Sequence, residues 1–147
     1  KIGLIFGYVG LWIAFTQGAL NRPISKRFRA QKILMVSLLM LSISLFLILI
    51  PNKSVYFYLV MPLIALSQGI TLPNITAFLS NLAPKDMQGE VMGINQSLQS
   101  AAQAIAPLVA GFFAAAYVGL PILIAAIFIF ISWILFVYFF REKKASA

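Results

Sequence analysis

The sequence predicts an all-α membrane protein with five transmembrane helices. Of its 147 residues, 62% are hydrophobic and only 10% are charged, and the mean hydropathy is +0.99. Soluble domains average about a quarter charged residues. The charges are also clustered, so that they leave five long apolar segments with no Asp, Glu, Lys, Arg or His in their interiors. Each segment is close to the ~20 residues that a helix needs to cross a bilayer.

The composition excludes several classes of function. The net charge is +8, but a nucleic-acid surface needs a soluble basic face, and the apolar composition leaves little of one. The absence of Cys and His excludes disulfides, thiolate chemistry and the commonest zinc sites. Paired carboxylates, a Ser/His/Asp set and a phosphate-binding loop are also missing. We therefore expect no enzyme, no cofactor, no metal and no nucleic-acid partner.

The first predicted helix covers about residues 3–20. Gly3 and Gly7 begin a series of small residues at helical spacing, which predicts close packing against another helix. Trp12 is a candidate either for lining a cavity or for plain packing. The helix leads into a predicted cytoplasmic loop, 21–32, whose cations favour orientation through the positive-inside rule over a specific gating role. These cations are Arg22, Lys26, Arg27, Arg29 and Lys32.

The second and fifth predicted helices, about 33–50 and 120–140, resemble each other. Both are aliphatic or aromatic almost throughout and have no polar face. A helix of this kind is typical of the lipid-facing periphery of a bundle. We therefore expect both to lie at the outside of the protein.

The third predicted helix, about 55–79, is interrupted by Pro62, Gly69 and Pro73. A proline removes a backbone hydrogen bond, and freed carbonyls in a membrane need protein or water to meet them. Polar side chains that lie near these breaks are candidates for lining a transport pathway. They are Gln68, Thr71 and Asn74. The alternative is an ordinary kinked helix whose polar groups are satisfied internally.

The fourth predicted helix, about 90–116, has three faces at 100° per residue. One arc is polar and predicts a cavity lining, shared with Gln68 and Asn74. It holds Asn95, Gln96, Gln99 and Gln103. A second stripe is small and predicts helix packing. It includes Gly93, Ser97, Pro107 and Gly111. The remaining face is apolar. For Gln96 we favour a hydrogen bond to another helix over contact with a substrate.

Charge counting predicts the orientation. The loop 21–32, the turn 84–90 and the tail 141–147 fall on one side and hold nine of the eleven Lys and Arg residues. The positive-inside rule places this side in the cytoplasm. The N-terminus of the chain is then outside and its C-terminus is cytoplasmic. Because the chain begins at Lys1 without a Met, we expect it to be a piece of a longer protein.

Several motifs resemble the major facilitator superfamily, and more closely its bacterial drug/proton antiporter branch, which includes the tetracycline efflux proteins. Gln88-Gly89, Gly93, Ser97 and Ala106-Pro107 are similar to the eleventh helix of these carriers. The run QGAL at 17–20, followed by the basic segment, is similar to the end of helix eight and the loop after it. The sequence departs from the family pattern in this loop. It has Arg22, Pro23 and Arg29 at positions where Gly, Arg and Gly, respectively, are common in the family.

This resemblance implies that the chain is helices eight to twelve of a carboxy-terminal six-helix bundle. It implies proton-coupled export of small amphipathic compounds or drugs by alternating access, in a bacterial cytoplasmic membrane. The partners would be the small-molecule substrate, protons, the lipid bilayer and the amino-terminal half of the same protein. The alternatives are a non-transporting membrane scaffold with a carrier-like fold and a sensor that binds small ligands without moving them.

Overall fold

The computed structural model describes residues 2–50 and 54–140, and these residues form helices without any strand. The prediction of an all-α membrane protein is confirmed. The elements in chain order are α1 (Ile2–Phe15), a π-helical turn (Thr16–Leu20), α2 (Asn21–Arg27), α3 (Ala30–Ile48), α4 (Ser54–Leu82), α5 (Gln88–Ala116) and α6 (Leu120–Phe140). Helices α3 to α6 are each long and apolar enough to cross a membrane. The predicted tail, 141–147, lies outside the described residues.

The segment 21–32 was expected to be a loop, and this expectation is wrong. The helical backbone runs on from α1 through the π-helical turn into α2, and it becomes extended only at Phe28. The N–H of Asn21 donates to the carbonyl of Thr16, five residues back. Pro23 has no N–H, but it follows this turn, where the regular hydrogen-bond pattern is already interrupted. The basic segment is therefore mostly helical.

Helix α4 continues through both of its prolines. Pro62 cannot donate to the carbonyl of Tyr58, four residues earlier. The hydroxyl of Tyr8 on α1 reaches this freed carbonyl at 3.5 Å, and the rings of Tyr8 and Tyr58 meet edge to face. The first break in α4 is thus covered by a side chain from α1.

Helix α3 packs against both α4 and α6, and the expectation that it lies at the outside of the protein stays a prediction. Its inner face is built from small hydroxyl residues that are buried and satisfied, namely Ser37, Ser42 and Ser44. Ser42 donates to the carbonyl of Ala126 on α6 at 3.2 Å, and the indole N–H of Trp133 on α6 donates to the carbonyl of Met35 at 2.8 Å. The opposite face of α3 is exposed. Serines in an otherwise apolar span therefore marked a packing face.

Helix α6 has one buried residue, Ala126, and its expected place at the outside of the protein stays a prediction. It also contacts α4 through an aromatic cluster, in which the ring of Phe78 meets Phe136 and Phe140 at centroid distances of 5.3 and 5.2 Å. Helix α5 packs along α6 and α4 but has no buried residue. The described bundle is therefore densest around α3 and α4.

Helix α4 comes very close to the first helical segment at Gly69. A Cβ placed there would lie 3.0 Å from Cβ and 3.1 Å from Cγ2 of Thr16, which is fully buried at the start of the π-helical turn. Real Cβ atoms rarely come so close to their neighbours. Glycine at position 69 therefore permits α4 to press directly against the π-helical turn.

We predict that Gly69→Val lowers the free energy of unfolding by about 1–3 kcal/mol, because its methyl groups overpack against buried Thr16. The matched control is Gly89→Val at the start of α5, where an added Cβ meets nothing within 4 Å. Denaturant unfolding of the full-length protein in detergent measures both variants. Equal losses at the two positions would contradict the close packing at Gly69.

Candidate functional site

The longest polar face of the described chain lies on α5. Asn95 and Gln99 are half-buried, and Gln103 is exposed. Within residues 2–50 and 54–140, none of these three side chains makes a hydrogen bond to another group. Their amides are free to donate to, and accept from, water, a ligand or another part of the protein.

Thr71, one of the three predicted pathway residues on α4, is buried and bonded within the bundle. Its hydroxyl lies 2.7 Å from the carbonyl of Ser67 and 2.9 Å from Oγ of Ser37 on α3, and it can donate to either. Thr71 therefore joins α4 to α3. The hydroxyl of Ser37 and the carbonyl of Ser67 complete this contact, and neither residue was among the sequence-based candidates. Gln68, by contrast, is exposed.

Asn74 is only 2% exposed, and its partner is on the first helical segment. Its Nδ2 donates to Oδ1 of Asn21 at 2.8 Å and to the carbonyl of Ile70 at 2.7 Å. No hydrogen bond among the described residues joins Asn74 to the α5 amides. The cavity expected between Asn74 and α5 stays a prediction. Sequence analysis missed Asn21 because it had assigned that residue to a loop.

Asn74 instead borders a polar cavity of about 430 Å³ at the basic end of the bundle. The cavity lies between α2, the start of α3 and the second half of α4. Its polar lining consists of Asn21, Ser25, Arg29, Gln31, Asn74 and Asn81. Since most of these groups are uncharged donors and acceptors, the cavity suits water or a neutral polar group.

Trp12 lies on an aromatic surface of α1. Its ring meets Tyr8 at 6.3 Å and Phe15 at 6.1 Å, both edge to face, and the three side chains with Leu11 line a shallow surface depression. Trp12 is half-buried. These ring contacts support the packing interpretation of Trp12, and a role in lining a cavity stays a prediction.

The predicted packing stripes have no neighbour in the described part of the chain. A Cβ at Gly3, Gly7, Gly93 or Gly111 would meet nothing within 4 Å. Ser97 is exposed and donates to the carbonyl one turn earlier, and Pro107 is exposed as well. Packing of these positions against another segment stays a prediction. Among the glycines inside the described transmembrane helices, only Gly69 has a side chain of a neighbouring helical segment within 4 Å of where its Cβ would be.

The predicted loop cations lie on or beside α2. Lys26 and Arg27 occupy its last turn, where positive charge is favourable next to free carbonyls, and both are exposed. Arg22 and Arg29 are exposed as well. Among the described residues, no three His, Cys, Asp or Glu side chains come together as metal ligands would.

The four membrane-length helices are typical of an integral membrane protein. The family model of the Major Facilitator Superfamily matches residues 1–147, and the chain belongs to this superfamily. The protein is thus a membrane transporter, and its substrate is a small molecule. Comparison with curated proteins and with solved structures gives no match.

We predict that Asn74 and Asn21 are energetically coupled. In a double-mutant cycle of Asn74→Ala and Asn21→Ala, the coupling energy should be about 1 kcal/mol, because a buried amide loses one of its two acceptors. The free energy of unfolding in detergent is the measurement. Asn81→Ala, on the same cavity wall, replaces Asn21→Ala in the control cycle. Strictly additive losses for Asn74 and Asn21 would contradict the contact.

Proposed function

We propose that this transporter exports small amphipathic compounds in exchange for protons. The observation that carries the proposal is the amide face of α5, which has no hydrogen-bond partner among the described residues. Leaving an amide unbonded in an apolar medium costs roughly 2–7 kcal/mol. A membrane-length helix with several such amides is therefore stable only if that face meets water, substrate or another part of the protein.

The chemistry of the face supports an amphipathic substrate. Asn95, Gln99 and Gln103 offer donors and acceptors without a fixed charge, and the adjoining stripe of small residues leaves room for an apolar body. Binding sites for small molecules commonly combine a few orienting polar groups with apolar walls. We assign substrate contact to these three amides and to exposed Gln68.

Thr71 and Asn74 take a different role in the proposal. Both are buried and bonded to neighbouring helices, so we assign them to positioning α4 rather than to touching the substrate. Their contacts tie α4 to α3 and to Asn21. If the substrate path opens by rocking of helix bundles, these contacts keep α3 and α4 together as one unit.

Proton coupling is the part of the proposal that needs groups outside this chain. No ionisable residue lies in the interior of any apolar segment, and proton relays in carriers normally use buried ionisable groups. We therefore propose that an amino-terminal half of the same protein supplies them. The proposed setting is a bacterial cytoplasmic membrane, with the basic end of the bundle in the cytoplasm.

We predict that Gln99→Ala reduces substrate flux at least tenfold, because loss of one orienting hydrogen bond to a desolvated ligand is worth ~1.5 kcal/mol or more. The measurement is substrate uptake, under an imposed pH gradient, into liposomes that contain the full-length protein in an inside-out orientation. Lipophilic cations, tetracyclines and sugars are the compounds offered.

The matched control is Gln17→Ala, since this exposed glutamine has the same chemistry but lies on the π-helical turn. Its flux should stay within twofold of wild type. Equal flux for both variants would remove Gln99 from the site. Flux that ignores the pH gradient would contradict proton coupling, and no flux from folded protein would favour the scaffold alternative.

A further inference from the structure

An apolar groove lies near the basic end of the bundle, between α2, α3 and α4. Its volume is about 440 Å³, within the range of small-molecule sites. The hydrocarbon wall consists of Ile24, Phe28, Val36, Met40, Leu66 and Ile70. Ser37 and Ser67 also border the groove, but their hydroxyls already have partners in neighbouring groups. The wall therefore offers an apolar chain little to hydrogen-bond and much to pack against.

The groove faces outward along α3. Val36 is 60% exposed and Met40 is 39% exposed, and Phe28 at the end of the groove is 52% exposed. Because α3 is a membrane-length apolar helix, its exposed face would meet lipid acyl chains. The groove is thus an indentation in a surface that suits hydrocarbon.

A cationic rim closes the basic end of this groove. Lys32 is itself part of the lining, and Arg27 lies three residues after the lining residue Ile24, on the neighbouring part of the same face of α2. Both cations are exposed. The first acidic residue of the sequence is Asp86, so no carboxylate accompanies these cations within residues 2–50. The rim therefore complements an anion.

We propose that this groove binds one anionic phospholipid, with an acyl chain along Val36 and Met40 and the phosphate beside Lys32 and Arg27. An apolar wall that ends in a cationic rim matches a molecule with a hydrocarbon tail and an anionic head. Basic pockets between transmembrane helices are known to hold such headgroups. The inference does not depend on which substrate is carried, or on proton coupling.

The test is native mass spectrometry of the full-length protein in detergent, titrated with phosphatidylglycerol and phosphatidylcholine of identical acyl chains. We expect phosphatidylglycerol to bind at least tenfold more tightly. Lys32→Gln and Arg27→Gln should each weaken its binding by about fivefold. Lys85→Gln is the matched control, since this exposed lysine follows α4 and is not among the residues that line the groove, and it should change nothing.

Two further variants test the acyl chain separately from the headgroup. Val36→Trp and Met40→Trp put a large ring into the groove, and each should weaken the binding of phosphatidylglycerol at least fivefold, with thermal melting used to confirm folding. Soluble glycerol phosphate should not displace the lipid. The proposal would be overturned if the two lipids bound equally, or if glycerol phosphate displaced the lipid. It would also be overturned if lipid binding were unchanged in Lys32→Gln, or unchanged in both Val36→Trp and Met40→Trp. Failure to bind any lipid would do so as well, and would indicate that another segment of the protein fills the groove.

Discussion

A polar group that leaves water for hydrocarbon must find a partner inside the protein, and the described bundle is arranged around this requirement. Each of these buried polar side chains donates a hydrogen bond either to a carbonyl one turn earlier in its own helix or to a group on a neighbouring helix. Ser44 and Ser67 do the first, while Ser42 and Asn74 do the second. Among the described residues, no buried side-chain nitrogen or oxygen lacks a partner. The core of this chain is small, but it is fully satisfied.

The unbonded amides of α5 stand out against that background. The described residues satisfy every buried hydroxyl in the core, yet within 2–50 and 54–140 they offer no hydrogen-bond partner to Asn95, Gln99 and Gln103 on α5. The same requirement that shapes the core therefore indicates that this face meets water, substrate or the rest of the transporter. Residue burial and residue polarity point to function here only when they are considered together.

The first helical segment shows how close packing and backbone irregularity depend on each other. Thr16 starts the π-helical turn, is fully buried and donates to the carbonyl of Trp12 at 2.6 Å. Gly69 lets α4 contact it directly. Beyond the turn, the segment continues far enough for Asn21 to reach Asn74. Two contacts, one apolar and one polar, thus fix this segment against α4.

Much of the fold could be predicted because long apolar runs between clustered charges define membrane helices directly. The segment 21–27 was missed because cations and Pro23 are typical of loops, whereas here the helix continues past the apolar run. The inner face of α3 was missed because a uniformly apolar span carries little information about which face is inside. Only a neighbouring helix shows that Ser37 and Ser42 form that face.

The site was less predictable than the fold. Gly69 has the same chemistry as Gly3 or Gly93, and what distinguishes it is a neighbour 53 residues away in the chain, Thr16. The partner of Asn74 depends on α2 being helical, which the sequence did not indicate. The α5 arc was found because helical periodicity alone places its amides on one face. The groups that these amides contact do not lie among the described residues.

The central claim is that the amide face of α5 lines a water-filled path, and cysteine accessibility tests it most directly. This chain has no Cys, so single cysteines along 94–109 can be labelled with a water-soluble thiol reagent in full-length protein from which any cysteine outside this chain has been removed. The account predicts fast labelling at Asn95, Gln99 and Gln103, and slow labelling at Leu98, Ile105 and Leu108. Uniform labelling along the helix, or faster labelling at the apolar positions, would contradict it.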